Sequence, residues 1–273
     1  MILVDGIATT AIEATDRGLA YGDGLFETIA WLDGRALALD AHLARLSRDA
    51  RRLGIEAPNG QVLANELRRL GRHRDRGVIK IIVTRGSGGR GYRDTRTGAA
   101  RRIVSIHAWP ELPALDATLS AFLCRHPISS NPVTAGIKHL NRLDQVMASR
   151  EWPGDDCFEG LMRDGAGHLV EGTRSNIFLC RGDILVTPSL EMGGVAGVVR
   201  AAVLEIAPEL GLRCEVRNIA VDELAQADEL FVTNSIIGLR SITDVRGDER
   251  WCYATVARAR ALADRLREAG VTP

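Results

Sequence analysis

The chain predicts an α+β protein of two domains, for three reasons. At 273 residues it is longer than one typical domain. Strand-like and helix-like stretches are mixed in both halves without a regular βαβ alternation, the pattern of α+β domains. Pro110, Glu111, Leu112 and Pro113 make the best linker. The division is therefore a small N-terminal domain over 1–109, a linker over 110–117 and a larger C-terminal domain over 118–273.

Composition narrows the function classes. The apolar fraction of 45% suits a globular protein with a substantial core. A formal net charge of zero gives no sign of nucleic acid or an anionic membrane as a partner. Five dispersed cysteines without a C-x-x-C pair argue against a disulfide framework or a zinc site and fit a reducing cytoplasm. No basic-then-apolar leader and no run of 18 apolar residues occurs, so a soluble cytoplasmic protein is expected. The six histidines lack ligand spacing, and neither Ser-His-Asp nor Cys-His catalysis has a supporting motif.

In the first half, Phe26–Leu32 and Arg35–Leu39 flank Asp33-Gly34, a type I′ hairpin signal. Thr28 shares a strand face with Phe26, Ala30 and Leu32. Upstream, Gly22-Asp23-Gly24 reads as a turn or as a place where backbone comes close to something. Asp40 reads as the N-cap of a helix to Leu53 with an apolar stripe of Leu43, Leu46, Ala50 and Leu53, stopped by Gly54. Arg45 lies off that stripe, as a solvated arginine would. A second helix is expected over Val62–Leu70, and strands over Val78–Thr84 and Ile103–Trp109. Lys80 is expected to stretch along its strand face beside Val78 and Ile82. The long connection Arg85–Arg102, with Arg90 and Tyr92 among glycines, fits either a carboxylate or phosphate clamp or a charged surface loop.

The second half opens with a strand near Thr118–Arg125. Beyond a proline-containing loop lies Gly136-Ile137-Lys138-His139-Leu140-Asn141-Arg142, then an apolar stripe of Leu140, Leu143, Val146 and Met147, which puts Lys138 at a loop-to-helix entry. Strands follow over Phe158–Arg163, His168–Glu171, Asn176–Cys180 and Ile184–Thr187. Gly193-Gly194-Val195-Ala196-Gly197-Val198-Val199-Arg200 runs into a helix ending near Leu210. Such a junction is either an ordinary helix start or an anion site made of free N–H groups. A strand at Leu230–Thr233 ends in Asn234-Ser235, and a helix near Ala254–Arg267 closes the chain.

Of 35 basic residues, only Lys80 and Lys138 are lysines. A primary amine can lose its proton near neutral pH and attack a carbonyl, which guanidinium cannot do. An amine, an anion-binding helix start and a carboxylate such as Glu171 would together suit a phosphorylated aldehyde cofactor, pyridoxal 5'-phosphate. As an isolated residue, Glu171 reads rather as a surface carboxylate.

Five segments in order resemble one family: Tyr21-Gly22-Asp23-Gly24-Leu25-Phe26-Glu27-Thr28, His42-Leu43-Ala44-Arg45-Leu46, the Lys138 stretch, Glu171-Gly172-Thr173-Arg174-Ser175-Asn176 and Gly194–Arg200. The chain is similar to the fold-type IV pyridoxal-phosphate enzymes, the family of branched-chain and D-amino-acid aminotransferases and of 4-amino-4-deoxychorismate lyase. Arg85–Tyr92 and Gly136–Leu143 resemble the lyase branch in particular. The resemblance implies a small α/β domain and a larger barrel-like domain, a homodimer, and a lyase that releases pyruvate and 4-aminobenzoate for folate biosynthesis. It implies that Lys138 carries the cofactor as a Schiff base and moves protons, and that Glu171 faces the pyridine nitrogen. Arg45, the N–H groups of Val198 and Val199, Asn234 and Ser235 are implied at the phosphate, and Thr28, Arg90, Tyr92 and Asn141 on the substrate side. The alternatives are an aminotransferase of the same fold acting on D- or branched-chain amino acids, and a non-catalytic protein that binds a phosphate ligand.

Overall fold

A computed structural model describes residues 1–88, 91–93, 99–152, 154 and 156–273. The chain divides into two compact units. Residues 1–111 and 137–141, with Pro273, form the first; residues 112–136 and 142–272 form the second. The division read from the sequence leaves 137–141 in the second domain, whereas in the structure this short stretch packs with the first.

The first unit contains strands β1 (Ile2–Val4) and β2 (Ile7–Ala8), helix α1 (Arg17–Tyr21), β3 (Gly24–Leu32), β4 (Arg35–Ala36), helices α2 (Leu39–Leu53) and α3 (Gly60–Gly71), β5 (Arg76–Thr84) and β6 (Arg101–His107). The strands form one sheet in the order β2-β1-β6-β5-β3-β4. Asp33 and Gly34 both have positive φ, 48° and 77°, as a type I′ turn requires. Period-2 alternation sends Leu25, Ile29, Trp31, Ile79, Ile81, Val83, Val104 and Ile106 to one face, where Leu46, Ala50, Leu63, Leu67 and Leu70 of the two helices complete a core. Asp40 falls in the first turn of α2 rather than at its cap, which is Ala38 at φ 47°. Asn59 caps α3 through bonds from the Gln61 and Val62 N–H groups. The strand expected at Ile103–Trp109 begins two residues earlier, because Arg101–His107 pairs residue for residue with Thr84–Val78.

The second unit contains β7 (Ser120–Leu123), α4 (Leu143–Ala148), β8 (Glu159–Arg163), β9 (His168–Gly172), β10 (Asn176–Arg181), β11 (Ile184–Pro188), α5 (Val198–Ile206), β12 (Arg213–Arg217), β13 (Ile219–Ala220), β14 (Glu229–Asn234), β15 (Gly238–Ile242), β16 (Asp244–Arg246), β17 (Arg250–Cys252) and α6 (Ala257–Glu268). Two sheets result, β12-β11-β10-β14-β15 and β13-β9-β8-β7-β16-β17. They enclose a core that includes Leu123, Leu161, Leu169, Ile177, Leu179, Leu230, Val232 and Val245. The alternate residues of β10 and β14, Phe178 and Phe231, point outward and stack with centroids 5.0 Å apart. Val199 and Val203 of α5 and Ala259, Leu262 and Leu266 of α6 bury that outer face. A larger, curled, barrel-like unit and a smaller α/β unit are the two parts expected from the resemblance.

The stripe beyond Lys138 behaves differently from its pattern. Helix α4 has only six residues. Leu143, Val146 and Met147 are exposed rather than core residues. Lys138 therefore precedes the helix by five residues, in extended backbone.

Candidate active site

Lys138 is positioned by backbone pairing within the first unit. The Phe26 N–H donates to the Lys138 carbonyl at 2.9 Å and the Leu140 N–H to the Gly24 carbonyl at 3.0 Å, so residues 138–140 lie along β3. Gly22 and Gly24 allow this approach. Gly22 ends α1 at φ 66°. Its backbone carbonyl accepts from Asn141 Nδ2 at 3.2 Å, and a Cβ on Gly24 would strike Leu140 and the Val83 carbonyl. Both readings of Gly22-Asp23-Gly24, a turn and a close approach, are thus realised. Lys138 Nζ lies 4.3 Å from the Phe26 ring centroid, and Lys80 Nζ lies 5.4 Å from the same centroid. The chain's two lysines share one aromatic ring. Thr28 stands directly opposite Lys80 in the β3–β5 register.

A second feature of this unit runs along α2. His42, Arg45 and Asp49, spaced three and four apart, lie on one side of the helix, and all three are buried. Glu27, 1% exposed, reaches them from β3. Arg45 Nε donates to Glu27 Oε1 at 2.8 Å and Arg45 Nη2 to Oε2 at 2.5 Å. His42 Nδ1 lies 2.6 Å from Oε2. Burial raises the Glu27 pKa, but the Arg45 charge and hydrogen bonds, with His42, outweigh it and hold the carboxyl at about 2. An ionised carboxylate only accepts, so Nδ1 of His42 carries the proton. Burial lowers the His42 pKa below the ordinary 6.5, against the opposing pull of Glu27, and the Arg45 and Lys138 charges lower it further. Asp49 Oδ2 accepts the Lys138 backbone N–H at 3.2 Å, which ties the lysine stretch to the same helix. Arg45, read from the helix pattern as solvated, is a buried residue gripped on one edge.

The second unit gathers the other predicted residues at one end of its sheets. Buried Glu171 ends β9 and accepts the Val195 N–H at 2.7 Å on Oε2 and Gln145 Nε2 at 3.2 Å on Oε1. Arg142 lies 3.9 Å from the same carboxylate; burial lowers its pKa and Glu171 raises it. Three residues after Val195, α5 begins at Val198 behind Gly197, with no side-chain cap, so the first N–H groups of the helix, those of Val198 and Val199, are not claimed by one. Asn176 Nδ2 donates to the Val195 carbonyl at 2.8 Å, and a Cβ on Gly197 would overlap Asn176 Oδ1. Asn234 Oδ1 accepts the Ile236 and Ile237 N–H groups at 2.8 and 2.9 Å, and its Nδ2 donates to the Arg174 carbonyl at 3.1 Å. Its side chain thus shapes the turn that holds half-buried Ser235. The Val195 N–H bond thus ties the Glu171 carboxylate to the segment that leads into α5, whose N-terminal N–H groups can bind an anion.

Tyr92 is 87% exposed, with its ring edge-on to Tyr21 at 5.5 Å. Arg17 holds this part of the loop by donating to the Gly91 and Tyr92 carbonyls at 3.0 and 2.9 Å. Arg90 lies outside the described residues. Sequence reading missed Glu27, His42 and Asp49 as partners, although the 42-45-49 spacing of polar residues on a helix was visible. Lys80, expected to stretch along its strand face, has its amine against the same ring as Lys138. Burial pushes the Cys124 and Cys180 thiols up to about 12, which leaves them unreactive as nucleophiles.

A family model for amino-transferase class IV matches residues 24–245. The crystal structure of 4-amino-4-deoxychorismate lyase from Pseudomonas aeruginosa superposes with a TM-score of 0.90 at 41% identity, covering 98% of each chain. An aminodeoxychorismate lyase of Vibrio harveyi is 29% identical over 91% of this chain and 93% of its own length. A D-alanine aminotransferase of Bacillus licheniformis is 29% identical over 87% of this chain and 84% of its own.

Proposed function

The chain belongs to the class IV aminotransferase family, and from that premise we propose that it is a pyridoxal-phosphate-dependent lyase converting 4-amino-4-deoxychorismate to 4-aminobenzoate and pyruvate. The full-length likeness to the Pseudomonas aeruginosa lyase carries the choice of reaction. The residues present fit the cofactor. Glu171 is a buried carboxylate oriented by two donors. Gly197 leaves no room for a Cβ at the start of α5, and Lys138 is one of only two amines on side chains. In this reading Lys138 holds the cofactor, Glu171 faces its ring nitrogen, and Arg45, the Val198 and Val199 N–H groups, Asn234 and Ser235 surround its phosphate. Thr28, Asn141, Tyr92 and Arg90 serve the substrate.

When bound, pyridoxal phosphate supplies an aldehyde for the substrate amine and a ring that accepts electrons. Lys138 Nζ would take the proton from the ring carbon bearing the amine. It then delivers a proton to the methylene carbon of the enolpyruvyl group as the C–O bond breaks, so pyruvate leaves and the ring becomes aromatic. A primary amine can act first as base and then as acid. The substrate carries two carboxylates. Lys80, on the Phe26 ring it shares with Lys138, is a cation suited to one of them, and the arginine-bearing loop suits the other. The enzyme works as a cytoplasmic homodimer.

The decisive assay supplies aminodeoxychorismate without a keto-acid acceptor. Pyruvate and 4-aminobenzoate should appear in equal amounts, and Lys138→Ala should abolish both along with the cofactor's visible absorbance. Absence of pyruvate would end the lyase reading. The likeness to D-alanine aminotransferase favours amino-acid transamination as the second reading, which requires an acceptor.

A further inference from the structure

Glu27 does not belong to the cofactor or substrate residues named above, yet it is a carboxylate only 1% exposed with both oxygens engaged. Its two oxygens take three donors, two from Arg45 and one from His42, all buried. Such a cluster needs a reason, because a buried ion pair replaced by apolar residues of similar volume is often no less stable. The geometry supplies one. The Glu27 carboxylate grips the Nε–Nη2 edge of Arg45 in a bidentate fork, which fixes both the plane and the direction of the guanidinium. His42 holds the carboxylate in turn through its Nδ1–H, and its place one helical turn before Arg45 sets the distance between them.

We propose that Glu27 is the positioning residue for Arg45, with His42 as its support, and that this trio presets the protein's preference for a phosphorylated over an unphosphorylated cofactor. The inference rests on the phosphate role given to Arg45 above. A free arginine side chain has several rotatable bonds, and fixing them on binding would weaken affinity. With Glu27 in place the side chain is ordered before the ligand arrives. The carboxylate also keeps the buried guanidinium paired in the cofactor-free protein, where an unpaired charge would be expelled or would distort α2. Asp49, one turn further along the same helix side, holds the Lys138 backbone. Helix α2 therefore carries Arg45, the histidine that backs its partner Glu27, and the aspartate that holds the lysine backbone.

The test compares pyridoxal 5'-phosphate with pyridoxal, which lacks the phosphate, by absorbance titration of the full-length apoenzyme. A general loss of structure weakens both ligands, whereas loss of arginine placement weakens only the first. In Glu27→Gln the new amide N–H faces the guanidinium donors. The dissociation constant for pyridoxal 5'-phosphate should rise about tenfold or more, while that for pyridoxal changes less than about twofold. Arg45→Met sets the full loss, and Glu27→Gln combined with Arg45→Met should lose nothing more. If Glu27→Gln fails to fold, His42→Gln provides the same readout, with an expected drop in selectivity of about two- to fivefold. If both Glu27→Gln and His42→Gln retain the selectivity that Arg45→Met loses, the positioning inference is overturned while the phosphate reading stands. If Arg45→Met keeps the selectivity, both fall.

Discussion

Lys138 and Lys80 show how much a residue's meaning depends on its neighbours. Both amines lie against Phe26 on backbone beside β3, but Lys80 is fixed inside β5 while Lys138 lies outside the strands and is tied to Asp49. Lys80→Met should leave cofactor binding intact and raise KM for aminodeoxychorismate about ten- to a hundredfold, the range for losing a charge-assisted contact. Steady-state kinetics beside a cofactor titration separates the two effects. His42 gives a pH prediction. Its folded pKa lies below 6.5, chiefly through burial, so below pH 6.5 the unfolded chain takes up a proton that the folded protein refuses. The contribution of neutral His42 is thus complete above 6.5 and is lost as pH falls toward the folded value. Thermal unfolding of the wild type from about pH 7 to pH 5 should show a steeper fall than His42→Gln.

At the scale of elements, the start of α5 has the least room for change. Gly197 has ordinary helical-entry backbone, φ −64°, so alanine brings no dihedral strain there. The added methyl instead meets Asn176 Oδ1, and Asn176 cannot turn away without breaking its bond to the Val195 carbonyl. Gly197→Ala should therefore destabilise the protein by about 1–3 kcal/mol and weaken cofactor binding in parallel. Denaturant unfolding and cofactor titration measure the two. Helix α2 teaches a complementary lesson. Its apolar stripe of Leu46 and Ala50 packs on the sheet as periodicity predicts. Its polar stripe is buried as well, which periodicity alone reads as a solvated face.

For the whole molecule, each unit has its own core, and the chain leaves the second unit at Gly136 and returns at Arg142. The five residues between carry Lys138, which therefore lies on a segment of the first unit joined by the chain at both ends to the second. Leu143, Val146 and Met147 of α4 are exposed. Three apolar side chains left on a short surface helix suit burial against a second copy of the chain. Sedimentation at micromolar concentration should give a dimer, and Val146→Glu with Met147→Glu should shift the population toward monomer. A monomer in the unsubstituted protein would remove this reading.

By itself the sequence determined the α+β class, most strands and helices to within a few residues, the Asp33-Gly34 hairpin and the family. These are set by local periodicity, turn chemistry and ordered motifs. Lys138 and the start of α5 stood out as candidates because scarce amines and a glycine-rich helix start leave marks in a one-dimensional string, whereas Glu171 was singled out only through the ordered motifs of the family. Other features were decided only by tertiary structure. The pairing of 138–140 with β3, the Glu27 grip on Arg45, the shared ring under Lys80 and Lys138, and the exposure of α4 all join residues far apart in the chain. Periodicity records which face of an element a residue occupies, but a contact also depends on what the rest of the chain brings to that face.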